Sequence, residues 1–203
     1  MKNINAIVFD LGGVLLNIDF QKVFNAFKEL GVGNFEDMYS QKKVNHLFKH
    51  FEEGKISEAE FYNTCRREMN FKITNTQIET AWNSMLLDFR ESALKTLLAI
   101  RPKYKLYLLS NTNVIHLKKF NAIFENQVGG SIAKYFDKLY YSHEIGSRKP
   151  GKESFECVLR ENNLTAAHTL FIDDSAENIE GAKLLGFQTI HLTQKKKIEQ
   201  LGL

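Results

Sequence analysis

Ile4-Asn5-Ala6-Ile7-Val8-Phe9-Asp10-Leu11-Gly12-Gly13-Val14 is an apolar run of strand length that ends in a carboxylate and passes at once into a glycine turn. An α/β protein presents its chemistry at such a place, where a buried strand stops and a loop begins. After Ser92 four more short apolar runs, 105–109, 138–141, 169–172 and 189–192, alternate with amphipathic stretches of helix length. Strand alternating with helix predicts a parallel sheet covered on both faces, a doubly wound, Rossmann-like α/β core. Residues 4–9 supply its first strand, because the segment that follows offers nothing for them to pair with.

That segment reads as helix throughout. Phe20, Val23, Phe24, Phe27 and Leu30 recur at three-to-four spacing between an Asp19 N-cap and Gly31. Val44, Leu47, Phe48 and Phe51 mark a second helix that stops before Gly54. Ser57-Glu58-Ala59-Glu60 and Thr74-Asn75-Thr76-Gln77 have the capping-box form and open a third and a fourth. The expected organisation is a core of residues 1–16 and 90–203 with a strandless four-helix cap, 17–89, inserted after the first strand. Placed there, the cap would lie over the site as a lid that excludes water and selects substrates. Its aromatics, Phe20, Phe24, Phe27, Phe48, Phe51, Phe61, Trp82 and Phe89, are expected to be mostly bundle core.

The chain has 203 residues, 43% of them apolar, which is enough for a well-buried core. A net charge of +3 with scattered Lys and Arg does not imply nucleic acid. The one dense basic cluster, Lys195-Lys196-Lys197, reads as a solvated helix start or tail. Cys65 and Cys157 lie in helical stretches without paired spacing, as reduced, packed thiols of a cytoplasmic protein do. Neither an export signal nor a membrane span is read, since Asp10 and Asn17 break the longest N-terminal apolar stretch.

Four polar elements stand at the ends of these runs. A carboxylate such as Asp10 is hard enough to bind magnesium and can attack phosphorus or an alkyl carbon, although the same residue before glycines also forms turns. Asp173-Asp174 closes the run 169–172, and two adjacent acids there are costly without a cation, even if one caps the helix that follows. Ser110-Asn111-Thr112-Asn113 offers a hydroxyl and amides suited to phosphate oxygens at a helix N-terminus, or else a capped polar turn. Lys149 has its chain direction restricted by Pro150, yet alone it reads as a surface lysine. His46 and His50 have helical spacing, but Leu47-Phe48-Lys49 between them lacks a general-base glutamate, so a solvated pair is expected rather than a zinc site.

The order of the four elements, strand-Asp, strand-Ser-Asn, Lys-Pro, strand-Asp-Asp, resembles the haloacid dehalogenase-like (HAD) hydrolase superfamily in its helical-cap subclass. The resemblance runs over essentially the whole chain. Phe9-Asp10-Leu11-Gly12-Gly13-Val14, Asn17-Ile18-Asp19-Phe20 and Phe171-Ile172-Asp173-Asp174-Ser175-Ala176-Glu177-Asn178 look particularly like the bacterial sugar-phosphate phosphatases typified by glucose-1-phosphatase. The resemblance implies a phosphomonoester hydrolase in which Asp10 attacks phosphorus and forms an aspartyl-phosphate. It implies a Mg²⁺ held by Asp10, the carbonyl of Gly12 and Asp174, with Asp173 and Asn178 orienting its water. Ser110, the Asn111 backbone and Lys149 would neutralise the phosphoryl group. The implied partner is a small phosphorylated metabolite, with sugar phosphates the leading class.

The chain departs from that pattern at one position. Most phosphatases of the superfamily carry a second aspartate two residues after the nucleophile as general acid and base, and here that position is Gly12. Such help is worth ~10²–10⁴ in rate. Its absence points to a leaving group that needs little protonation, to a stand-in from the cap or from water, or to slow turnover; Asp19 is the nearest acid, but reads better as an N-cap. The 2-haloacid dehalogenases of the superfamily also lack the second acid, yet they use no metal, which would leave Asp173-Asp174 without a cation. A non-catalytic phosphometabolite-binding protein is the third reading, and retention of Asp10, Ser110, Lys149 and Asp174 together weighs against it. A response-regulator receiver is excluded by the order of its acidic pair and lysine.

Overall fold

A computed structural model of the chain describes residues 3–33, 35–36, 42–193 and 197–203. In chain order the first elements are β1 (Ala6–Phe9), β2 (Leu16–Ile18), α1 (Phe20–Glu29), α2 (Lys42–Glu52), α3 (Glu58–Met69), α4 (Asn75–Asn83) and β3 (Leu86–Phe89). There follow α5 (Glu91–Ile100), β4 (Lys105–Ser110), α6 (Val114–Gln127), β5 (Lys138–Tyr141), α7 (Ser142–Ile145), α8 (Lys152–Glu161), β6 (Thr169–Asp173), α9 (Ala176–Leu184) and β7 (Gln188–His191).

Five strands form one parallel sheet in the order β5-β4-β1-β6-β7, with Phe9 of β1 opposite Leu108 of β4 and Ile172 of β6. The runs are continuous apolar stretches rather than alternating ones because both faces are covered. Ile7, Phe9, Leu106, Leu108, Leu170 and Ile172 pack with Leu94, Leu97, Phe120 and Phe124 of α5 and α6. Ala6, Val8, Tyr107, Leu109 and Phe171 point the other way, onto Phe155, Val158, Ile179 and Ala182 of α8 and α9. The chain leaves β1 for β4 on one side and later returns to β6 on the other. A crevice therefore opens at the carboxyl end of β1, flanked by the ends of β4 and β6.

Between β2 and β3 stand α1 to α4, the helices described in this segment, around a core of their own. The periodic residues meet as the spacing requires: Phe27 stacks on Phe35 (centroids 3.9 Å apart), Phe51 on Phe61 (4.2 Å) and Phe48 on Trp82 (4.6 Å). Asp19 caps α1 by accepting from the Gln21 N–H at 3.0 Å, and both expected capping boxes form, Ser57 with Glu60 and Thr74 with Gln77. Val44 lies on α2, but its side chain is outside the described residues, as are Lys195 and Lys196 of the basic cluster. His46 and His50 are exposed neighbours, 5.6 Å between ring centroids. Cys65 and Cys157 are free and buried.

The inserted segment is not strandless. β2 and β3 pair antiparallel, Leu16 opposite Phe89 and Ile18 opposite Leu86. The chain enters and leaves the bundle at one place, so its two connections run side by side, and pairing them satisfies backbone groups that would otherwise be half-buried and unpaired. Strands this short carry too little alternation to register in a sequence. Phe89 consequently joins the sheet-side core, and Phe20, 45% exposed, is not bundle core at all. Among the described residues no helix is long and apolar enough to cross a membrane.

Leu170 of β6 is fully buried. Leu170→Ala is expected to lower the unfolding free energy by about 2–5 kcal/mol, and Ser57→Ala, which removes only a cap, by about 1 kcal/mol. Urea denaturation followed by circular dichroism measures both, and an equal loss would contradict the core assigned to β6.

Candidate active site

Asp10 is the first residue after β1, and its N–H donates to the Ile172 carbonyl at 2.9 Å, which fixes its backbone to the neighbouring strand. Ser110 ends β4, and Asp173 and Asp174 stand at the end of β6. These adjacent strand ends bring the polar residues to one cavity of about 360 Å³, lined by Asp10, Gly12, Ser110, Asn111, Lys149, Asp174 and Asn178. Asp173 lies beneath it, wholly buried and absent from its lining.

Lys149 is 1% exposed and is no surface lysine. Its ammonium donates to Asp10 Oδ1 at 2.5 Å and to Asp173 Oδ2 at 2.7 Å. The loop that delivers it is held by Asn111, whose Oδ1 accepts from the Lys149 N–H and whose Nδ2 donates to the Lys149 carbonyl, both at 2.9 Å. Asn111 thus spends its side chain as a clasp on the lysine backbone. Asp173 also accepts from the Ser175 N–H at 2.7 Å and from Asn178 Nδ2 at 3.0 Å, so its oxygens are occupied by protein donors. Asp174 is exposed, and its carboxylate lies over Gly13, where an added Cβ would stand 2.0 Å from Oδ2. Gly13 has φ +71°, so both its backbone and this close approach require glycine.

Asp10, Asp173 and Asp174 each offer a ligand atom within 4.8 Å of the others. With all three ionised, three carboxylates, two of them buried, against one ammonium leave two negative charges. Burial pushes Asp10 up to about 7 despite the pull of Lys149, with Asp173 and Asp174 adding to the rise, and burial likewise raises Asp174. Lys149 stays above the ordinary lysine value, because its two carboxylates outweigh its own desolvation. An all-oxygen donor set short of a double positive charge suits a small hard dication.

Several lining residues were not among the site residues expected from the sequence. Ile18, Phe20, Glu52, Trp82, Met85 and Leu86 come from the inserted segment, and Thr112, His116, Arg148 and Glu177 from the core. Asn113, the N-cap of α6, accepts from the His116 N–H, and the His116 ring stacks on Trp82 (4.9 Å, 15°) and bonds its carbonyl through Nε2 at 3.1 Å. Arg148 Nε donates to Glu52 Oε2 at 2.8 Å across the same junction. Arg148 had one sequence signal, its place beside Lys149. Glu52 and His116 had none, since their partners lie on distant elements. Asp19, the nearest acid by sequence, is committed to its cap and does not line the cavity.

The chain belongs to the haloacid dehalogenase-like hydrolases, whose family model matches residues 4–186. A D-ribitol-5-phosphate phosphatase of Bacteroides thetaiotaomicron is 33% identical over 92% of this chain and 90% of its own. A HAD family enzyme from the same organism, crystallised with magnesium and inorganic phosphate, superposes with a TM-score of 0.90 at 35% identity, over 98% of this chain and 100% of that one. An L-2-haloacid dehalogenase from Xanthobacter autotrophicus, 21% identical, shares the fold with a TM-score of 0.63 over 95% of this chain and 80% of its own.

Burial holds His116 neutral, its pKa lowered from 6.5 to about 4. A depressed folded value means that the stabilisation is complete above the unfolded pKa and is lost as pH falls through the folded one. The difference corresponds to at most about 3 kcal/mol. Between about pH 6.5 and pH 4 the melting temperature should therefore fall less steeply in His116→Gln than in the parent. Parallel thermal-melt profiles for the two proteins would show that His116 is not the buried neutral group described.

Proposed function

We propose that this protein is a magnesium-dependent phosphomonoesterase that hydrolyses a small sugar or polyol phosphate through an aspartyl-phosphate on Asp10. The observation that carries it is the cluster of three carboxylates around one buried lysine, a charge balance that calls for a dication. The phosphatase and the magnesium–phosphate complex among its relatives support the same reading. We assign Asp10, Asp174 and the Gly12 carbonyl as the groups that would hold Mg²⁺, with Asp173 and Asn178 behind them. When bound, the ion neutralises charge on the phosphoryl oxygens as they approach the carboxylates.

In the first step an Asp10 oxygen bonds to phosphorus and the bond from phosphorus to the alcohol oxygen breaks. In the second, water adds to phosphorus, the bond to Asp10 breaks, and inorganic phosphate and the carboxylate are released. Lys149 serves twice. It holds Asp10 in attacking position, and its charge compensates the phosphoryl group beside the Ser110 hydroxyl and the Asn111 backbone. Because Asn111 uses its side chain to hold Lys149, its phosphate contact falls to the main chain. Gly12 supplies no proton to the departing oxygen, so turnover should favour alcohols that leave with little protonation.

We take residues 17–89 as a cap over a core of 1–16 and 90–203, and the cytoplasm, which keeps thiols reduced, as the compartment of a protein with two free cysteines. The dehalogenase reading shares the fold but needs no dication, and the acidic cluster weighs against it.

Phosphate release from a panel of sugar and polyol phosphates is the test. Release should vanish with chelator and fall at least about 10³-fold in Asp10→Asn, with Lys149→Met losing about 10²-fold or more. Silence across the panel while magnesium still binds would favour a phosphometabolite-binding protein. Metal-independent halide release from 2-haloacids would replace the reading with dehalogenation.

A further inference from the structure

The wall of the cavity contributed by the inserted segment is Ile18, Phe20, Glu52, Trp82, Met85 and Leu86, so a single charged side chain stands on an otherwise apolar and aromatic surface. Glu52 is the last residue of α2. Its carboxylate meets Arg148, which comes from the opposite wall and is adjacent in sequence to Lys149. The contact is side-on: Arg148 Nε reaches Glu52 Oε2 at 2.8 Å. Among the described residues Glu52 Oε1 and the two terminal guanidinium nitrogens of Arg148 have no protein partner. Both side chains keep part of their surface at the cavity, 20% for Glu52 and 25% for Arg148. Burial raises the Glu52 carboxyl while Arg148 pulls it back, as happens to a carboxylate removed from bulk water and left with one partner.

We infer that Glu52 and Arg148 together form the specificity-determining pair of this site and read adjacent hydroxyl groups on the alcohol that leaves. The inference rests on the phosphatase reading. One hydroxyl donates to Glu52 Oε1, and the oxygen of its neighbour accepts from the free edge of the guanidinium, so a vicinal diol bridges the pair with two charge-assisted bonds. Lys149 turns inward to Asp10 while Arg148, one residue earlier, turns to the cavity. The diol read is accordingly close to the phosphorylated carbon. The apolar residues beside Glu52 suit the carbon skeleton of such an alcohol.

Discrimination follows from what happens when the hydroxyls are missing. An alkyl or terpenyl phosphate fits the apolar wall but covers Glu52 Oε1 and the Arg148 nitrogens without pairing them, and desolvated charges left unmet are what a site uses to reject the wrong ligand. The reader is also assembled from two parts of the fold. α2 brings Glu52, and just beyond it Gly54 lies so close to the His143 carbonyl that an added Cβ would stand 2.3 Å from it.

The test compares kcat/KM for D-ribitol 5-phosphate and n-pentyl phosphate, equal in carbon number and differing in hydroxyls, on the full chain with magnesium. The intrinsic difference between the two alcohols is the same in every variant and cancels in the ratio. Glu52→Ala is expected to lower the ribitol value by about 10- to 100-fold and the pentyl value by less than about threefold, with Glu52→Gln in between because it keeps an acceptor but not the charge. The pentyl rate reports that each variant is folded. Equal losses on both substrates would mean that the pair only holds the bundle in place, and no loss on either would mean that it touches no hydroxyl; either overturns the inference while the phosphatase stands. A parent protein that releases phosphate from neither substrate withdraws the phosphatase reading and the inference with it.

Discussion

Lys149 is a buried cation lying between Asp10 and Asp173, and the site depends on that contact. Three neighbouring strand ends in one parallel sheet bring carboxylates close together at low dielectric, where like charges repel strongly and are poorly screened. Lysine relieves part of the repulsion and fixes both acids, at 2.5 and 2.7 Å. Burial first, and the neighbouring carboxylates after it, still hold Asp10 and Asp174 above the ordinary carboxylate value. A buried ion group of this kind is a poor source of stability, because desolvation consumes most of the Coulombic gain. Its residual negative charge is of the kind that a dication would neutralise.

The surrounding residues divide that work. Asn111 clasps the lysine backbone, Asp173 is saturated by Lys149, Ser175 and Asn178, and Asp174 is left with its carboxylate open over Gly13. Adjacent acids of identical chemistry thus stand in opposite situations, one locked and one open. The inserted bundle adds nothing to this inner set. It contributes a mostly apolar roof with one carboxylate, Glu52, and it seats on the core through Arg148, His116 and the close approach of Gly54 to His143. The inner polar set and the apolar roof above it come from different segments of the chain.

The parallel sheet and the helical insertion were legible because their signals are local. A continuous apolar run means a strand buried on both faces, and capping boxes such as Ser57 with Glu60 are complete within four residues. The antiparallel pair β2–β3 was not legible, since each strand is short and has meaning only through the other, seventy or so residues away in the chain. Phe20 shows the limit of periodicity: it sits on the apolar spacing of α1 yet faces the cavity, because the spacing gives the stripe and not its width.

For the site, residue order alone shows which strand ends carry acids, hydroxyl and amide, because side-chain chemistry at a strand terminus is a one-dimensional fact. The folded chain alone buries Lys149 between Asp10 and Asp173, turns the Asn111 side chain to the lysine backbone, and brings Glu52 to Arg148 across the cavity. Each of these is a contact between residues far apart in the chain, with no preference of its own to display until the sheet order and the docking of the bundle bring the partners within hydrogen-bond reach.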